Sequence, residues 1–452
     1  MNKRLFILLS LALISFGGIA QKTKLPQQKS TSGIPVVGII QGLSDSALLD
    51  VVQKQTFRYF WDFAHPVSGL SRERSNVDFN YGHEVVTTGG TGFGIMAIIV
   101  ATERGWITRD TAAKHLLKMV KFLFKSSAYH GVFPHWLNGE TGKTIPFSRK
   151  DDGGDLVESA YLFQGLLCAR QYFNDTTRTE RDLRNRINWM WNDIEWNWYT
   201  RDGQEVLYWH WSPNNGWTMN FPIRGFNECL ITYILAAAGE RFPVPASVYH
   251  RGWAESNFFR NGRQFYNITL PLGFDYGGPL FFSQYSFLGL DPKGLKDRYA
   301  DYWEQNKNHT LINRAYCIDN PKKFKGYGEN CWGLTACDTY NGYNAYSPTN
   351  DEGTIAPTAA LSAFPYTPEH SMKALRHFYY DLGDKIWSEY GFVDAFNESR
   401  NWYAKSHLAI DQGPIIVMIE NYRSGLLWKL FMGVPEIQKG LKKFGFTSPW
   451  LK

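Results

Sequence analysis

The residues best equipped for chemistry are carboxylates placed where polar, glycine-containing loops run into apolar stretches. In the segment RKDDGGDLVESAYL, from Arg149 to Leu162, the acids Asp151, Asp152, Asp155 and Glu158 stand directly ahead of a long apolar run. Asp155 and Glu158 are three residues apart, so on a helix beginning near Asp155 both project to one side of the first turn. Glu228 in GFNECL holds the same place before the next such run, Asp411 in AIDQGPII begins the last, and Asp351 with Glu352 precede the one before it. An acid at a helix start is also an ordinary cap for free backbone N–H groups and a complement to the helix dipole. Repetition at successive starts favours a shared pocket, where converging carboxylates resist simultaneous ionisation.

Paired carboxylates in a cleft walled by aromatic rings are the equipment of glycoside hydrolysis. One protonated acid delivers a proton to the leaving oxygen, another carboxylate activates water, and ring faces stack on sugars. Trp136, Trp209, Trp211 and Trp217 are the candidate platforms, and the polar neighbours in SPNNGW place Trp211 and Trp217 on exposed loops. Arg149, Arg224 and His210 are candidates for hydrogen bonds to hydroxyls and Asp151 for a further substrate contact, although Arg149 has the alternative task of neutralising Asp151 or Asp152. Glu228, between Phe226 and Cys229 with Leu230 and Ile231 following, has the least polar neighbours of the four main acids. It is therefore assigned as proton donor, since burial keeps a carboxyl protonated near neutrality. Asp411 is ranked first as base because it starts a nonadjacent run and can face Glu228 across the pocket. An inverting reaction would separate the two by roughly 6.5–9.5 Å, leaving Asp155 and Glu158 to orient sugar or water.

These side chains need a scaffold that brings distant starts together. Loop-to-apolar transitions fall near Gly89, Asp155, Gly225, Phe281, Gly353 and Asp411. Several of the apolar runs lead into a capping signal and a charged, amphipathic stretch, as at Thr108-Arg109-Asp110, Thr177-Arg178-Thr179-Glu180 and Thr367-Pro368-Glu369. The uncharged member of each pair suits burial on all sides and the charged member suits one wet face. Nested rings satisfy both, and the stretch from Asp45 to Phe63 completes the unit that begins at Asp411. The pattern predicts an all-α (α/α)6 toroid in a single domain, residues 43–452. The Trp-, Tyr-, Gly- and Asn-rich loops would gather at one mouth, where function concentrates.

Composition agrees with a large packed core: the chain has 452 residues, 44% hydrophobic and 20% charged, with a formal net charge of +6. No block of consecutive basic residues follows the N-terminus, which argues against a nucleic-acid partner. Met1-Asn2-Lys3-Arg4, the apolar run Leu5 to Ile14 and the small residues Gly18-Ile19-Ala20 predict an export signal over residues 1–20. Residues 21–42 then read as a flexible leader to an exported, periplasmic or secreted, monomeric protein without a membrane anchor. Of the 5 cysteines, Cys168 and Cys229 lie in apolar runs and read as buried thiols. Cys317, Cys331 and Cys337 share a loop-rich region where one disulfide is an option, and no spacing resembles a zinc site.

The runs GDLVESAYLFQGLL, GFNEC, DEGTIAPTAAL and DQGPI together resemble the bacterial glucoamylase-like domain of glycoside hydrolase family 144, over residues 48 to 446. The resemblance implies an (α/α)6 barrel and inverting hydrolysis of β-1,2-glucan to sophorose or short sophoro-oligosaccharides, with no metal or other cofactor. Motif by motif it implicates Asp155, Glu158 and Glu228 in the active site and matches Asp411 to a further acidic position. Two rival readings use the same barrel. A hydrolase, lyase or epimerase acting on another glycan is one; a uronate lyase would favour a basic mouth. The other is a noncatalytic glycan-binding protein, which would tolerate amides at Asp155, Glu158 and Glu228.

Overall fold

The computed structural model describes residues 31–76 and 82–451. The expected export signal and the beginning of the leader lie outside the described residues. Helix α1 (Asp45–Trp61) starts on Ser44, whose hydroxyl accepts the Ala47 N–H. Helices α2 (Thr88–Glu103) and α3 (Arg109–Leu123) form one inner and outer pair, and α4 (Leu156–Tyr172) and α5 (Arg178–Asp193) the next. Their sequences account for the division. The inner α2 and α4 are almost wholly buried, whereas α3 and α5 bury one stripe each, Leu116, Met119 and Leu123 in one and Leu183, Ile187 and Met190 in the other. The outer pair is capped as its sequence requires, Thr108 accepting from Thr111 N–H and Thr177 from Glu180 N–H.

The inner ring continues through α6 (Leu230–Ala238), an inner segment at 280–288 and α8 (Pro357–Leu361), and returns through α11 (Ala409–Arg423) to α2. Outside it run a π-helical turn (Val248–Ala254), α7 (Tyr302–Asp319) and α9 (Pro368–Arg376) with the short α10 (Gly383–Ile386) after it. Helix α1 packs on α11 and α2, and Gln53 donates to the Ile416 carbonyl at 3.0 Å, so the N-terminal helix closes the last unit. Helices α12 (Leu426–Met432) and α13 (Pro435–Lys443) then pack against α4 and α6 respectively. Among the described residues, strands are confined to short antiparallel hairpins and ladders in the loops. This is an (α/α)6 toroid.

Glycine sets the closeness of the inner ring where α2 meets α4. A Cβ at Gly92 would strike the Tyr161 backbone, and one at Gly165 would strike the backbone of Gly92. The helices touch main chain to main chain there, a fit no larger residue allows.

Three features differ from the sequence expectation. The run FFSQYSFLGL forms two 3-10 turns, Leu280–Ser283 and Tyr285–Leu288, in place of an α-helix. Its backbone groups are taken by side chains from neighbouring helices: Gln164 donates to the Tyr285 carbonyl at 3.1 Å and accepts from Gly289 N–H at 2.6 Å. The run after Gly353 is helical for only five residues because Pro365 lies just beyond it, and a proline disfavours helix in the residue ahead. The described part of the leader is anchored, contrary to a flexible reading. Thr31 N–H donates to Asp62, Ile40 N–H to the Tyr379 hydroxyl, and the Trp387 indole to the Val37 carbonyl. All five cysteines are free thiols in buried positions, so the disulfide option is not taken. Among the described residues no helix is long and apolar enough to cross a membrane.

Candidate active site

Helix α4 begins at Asp155, whose Oδ1 accepts the N–H groups of Val157 (3.1 Å) and Glu158 (2.9 Å). Capping and chemistry coincide here, because the other oxygen of the same carboxylate faces histidines. Strand Gly154–Asp155 pairs antiparallel with His210–Trp211, setting Asp155 opposite His210. Asp155 Oδ2 lies 2.9 Å from His135 Nδ1 and 3.7 Å from His210 Nε2, and His210 Nε2 is 3.4 Å from Asp151. Burial disfavours charge on His135, yet the carboxylates of Glu158, Asp155 and Asp151 outweigh it and raise its pKa to about 9. The reverse holds for Asp155: burial resists its charge, but the His135 hydrogen bond and positive charge keep it ionised with a lowered pKa. His210 is neutral, burial pulling it down to about 4. Asp155 is therefore locked into a cap and an ion pair, unsuited to shuttling protons.

Glu158, three residues on, turns toward α2. Its Oε2 accepts the Gly89 N–H at 2.8 Å, and a Cβ at Gly89 would sit 2.5 Å from that oxygen. Burial, with the Asp155 charge adding, raises its pKa. The glycines of GGTGFG thus serve this contact as well as the α2 and α4 packing.

Glu228 lies in the turn ahead of α6. Its backbone is pinned by the Ser286 hydroxyl, which donates to the Glu228 carbonyl at 2.5 Å, so the inner segment at 280–288 positions it. Glu228 is buried, and its Oε2 has no hydrogen-bond partner among the described residues. Burial first, then the charges of Glu158 and Asp155, push its pKa up to about 7 against the pull of its own backbone N–H. An orphaned carboxyl oxygen in so dry a place is costly unless it is protonated or meets a ligand.

A second carboxyl group cluster surrounds Asp411 in the first turn of α11. Tyr285 donates to Asp411 Oδ1 at 3.2 Å, while Oδ2 lacks a partner among the described residues. The same is true of Asp394 Oδ1. Asp394 Oδ2 accepts the Asp338 N–H at 2.7 Å, and Asp338 in turn holds Arg74 Nη1 at 2.9 Å. The Asp394 and Asp411 carboxyls act on each other electrostatically, and neighbouring carboxyls resist simultaneous ionisation. Burial first, then the charges of Asp411 and Asp338, push the Asp394 pKa well above the usual carboxylate range. Asp411 is raised to about 7, mainly by burial, with the neighbouring Asp394 carboxyl and the Tyr285 hydrogen bond drawing it down. Between the clusters, Tyr161 and Tyr285 meet edge to face at 5.7 Å and both contact Phe93 at 5.3 Å. Glu228, Glu158 and Asp411 thus border one aromatic surface.

The other expected contacts divide. Trp209 and Trp211 flank His210 and stay half-buried, the Trp209 ring stacked 5.7 Å from the imidazole. Trp136 is 5% exposed, packed in a strand against Phe147 and His135, so it is core and not a platform. Trp217 is half-buried and touches Tyr199, Tyr208 and Trp198, against the expectation of a free loop ring. Replacing Trp217 with Ala should cost about 2 kcal/mol in urea unfolding, below the roughly 3–5 of a fully buried ring; an unchanged midpoint would restore it as a sugar platform. Arg149 and Arg224 are exposed, and Asp152 is held by Ser212, Asn214 and Asn215 rather than by Arg149. Asp351 does not join the site: it accepts the hydroxyls of Tyr316 and Tyr327 and staples its loop, and Glu352 is exposed. His135, Asp338 and Asp394 join the site without having been expected from the sequence. Asp338 and Asp394 had a signal, being single acids inside the otherwise unionised runs TACDTY and YGFVDAFN.

Donor atoms of His135, Asp151 and Asp155 lie within 4.8 Å of one another, a spacing a cation could use. The imidazole nitrogen facing Asp155 is engaged in an ion pair and holds its proton to about 9. Metal binding would have to displace that proton.

The Glycoamylase family model, described as "Putative glucoamylase", matches residues 220–435. A Bacteroides uniformis crystal structure of the same description is 62% identical, covering 91% of this chain and 100% of that one with a TM-score of 0.89. The endo-β-1,2-glucanase of Chitinophaga pinensis, solved with sophorotriose and glucose, is 56% identical over 91% of this chain and 100% of its own, with a TM-score of 0.88. The exo β-1,2-glucooligosaccharide sophorohydrolase of Parabacteroides distasonis is 46% identical over 422 residues, 89% of this chain; the chain spans 58% of the length of that curated relative.

Proposed function

Because the chain belongs to the glucoamylase-like hydrolases of glycoside hydrolase family 144, we propose that it cleaves β-1,2-glucan or sophoro-oligosaccharides by an inverting acid/base reaction. The observation that carries the mechanism is the pair of buried carboxyls, Glu228 and Asp411, each with an oxygen that finds no partner among the described residues and each with a pKa near 7. Glu228 protonated gives its proton to the glycosidic oxygen as the C1–O bond breaks. Water attacks C1 from the opposite face while Asp411, ionised and steadied by Tyr285 and Asp394, takes its proton. His135 and Asp155 form a fixed ion pair at the mouth that orients sugar hydroxyls, and Trp209 and Trp211 offer ring faces.

The acidic mouth fits a neutral glycan, and two buried carboxyls with pKa values near 7 suit an acid and base pair. The substrate is tested by incubating the purified protein with linear β-1,2-glucan, β-1,3-glucan, β-1,4-glucan and starch and measuring reducing ends. Release from β-1,2-glucan alone is expected; release from starch alone, or from none, contradicts the reading.

A further inference from the structure

We propose that Cys331, His377 and Glu398 form a binding site for a divalent transition metal of the Zn²⁺ type. Their donor atoms, one thiol sulfur, one imidazole nitrogen and one carboxylate oxygen, lie within 4.8 Å of one another. Donors on a tetrahedral Zn²⁺ are roughly 3.3–3.8 Å apart, given bonds of about 2.0–2.3 Å, so little closure is needed. The three residues come from separate parts of the chain: a tight turn joining Gly328 and Cys331, the π-helical turn after α9, and the 3-10 turn Glu398–Arg400. No sequence spacing reveals them.

Two further observations aim the residues at a ligand. His377 Nδ1 is held by Asp381 at 2.8 Å, while His377 Nε2 is buried without a hydrogen-bond partner among the described residues. A carboxylate on one ring nitrogen fixes the tautomer and leaves the other nitrogen's lone pair for a metal, the arrangement found behind metal-bound histidines. Gly326, at φ 89°, has no Cβ, and the space it leaves is filled by the Glu398 carboxylate. Cys331 is a free buried thiol, which burial keeps protonated; a bound dication would take it as thiolate, releasing the proton to solvent. Thiolate and carboxylate then balance the two positive charges, the imidazole stays neutral, and water completes the tetrahedron. Such an ion would tie the loops that precede and follow α8 and α9 into one unit.

The test is titration of chelator-stripped full-length protein with Co²⁺, followed by displacement with Zn²⁺. Stoichiometric binding with a thiolate-to-cobalt charge-transfer band in the near ultraviolet is expected, a band that the His135, Asp151 and Asp155 group, lacking sulfur, cannot give. Cys331→Ser should abolish the band. His377→Gln and Glu398→Gln, both at partly exposed positions, should weaken binding by roughly 100-fold or more, and Asp381→Asn by about 10–100-fold. Circular dichroism is used to check that these variants fold, and they keep the test valid if Cys331→Ser does not. Absence of the band in the intact protein, or unchanged affinity in folded His377→Gln and Glu398→Gln, overturns the proposal.

Discussion

Replacing Glu228 with Gln should lower kcat by about 10²–10⁴-fold, the range for loss of a general acid, while the folded protein still binds glucan. The amide keeps the shape of the side chain and cannot protonate a leaving oxygen. Its environment explains why no neighbour substitutes. Asp155 is charged and committed to His135, and Glu158 is fixed on the Gly89 N–H. Stability should fall little or rise, since the change removes a buried ionisable group whose Oε2 has no partner among the described residues. Turnover is followed by reducing ends and binding by calorimetry with sophoro-oligosaccharides. Near-normal turnover would remove Glu228 from the acid role.

Asp411→Asn should lose a comparable factor, because an amide cannot accept the water proton. Its neighbour supplies a contrast. Burial and the Asp411 charge push Asp394 toward its neutral form, and asparagine is a neutral side chain of the same shape, so Asp394→Asn should keep kcat within about tenfold. Asp394→Leu removes the polar neighbour that draws Asp411 downward. The Asp411 pKa then rises, and the acid limb of the rate profile moves to higher pH. An Asp394→Asn variant as impaired as Asp411→Asn would mean that the base is Asp394.

Much of this site was legible because helix starts are local features. Asp155, Glu158 and Asp411 precede or open apolar runs, and the runs alone identify the inner ring. Glu228 stood out by its apolar neighbours, the same property that raises its pKa in the fold. What stayed hidden depends on contacts between distant segments. His135 reaches Asp155 because the 154–155 and 136–138 strands register with 210–211 and 85–87, pairings that no spacing encodes. Asp351 reads from sequence as a member of the acidic mouth, but the Tyr316 and Tyr327 hydroxyls occupy its carboxylate. Trp136 and Trp217 show the same limit: an aromatic residue beside glycine and asparagine can still be packed, since a short loop can fold its ring inward. The segment at 280–288 reads as a helix and forms 3-10 turns because the Gln164 side chain, from another helix, takes its backbone groups.

The pH dependence of kcat/KM on sophoro-oligosaccharides, compared between the wild type and Glu228→Gln, tests the central claim most directly, because it reads the ionisation of the free enzyme's acid and base. Glu228 acts protonated, so activity should fall as pH rises through about 7; Asp411 acts ionised, so activity should fall as pH drops through about 7. The account predicts a narrow bell centred near 7 for the wild type. In Glu228→Gln the residual activity should keep the acid limb and lose the alkaline one, and an alkaline limb unchanged in that variant would contradict the assignment of Glu228 as proton donor.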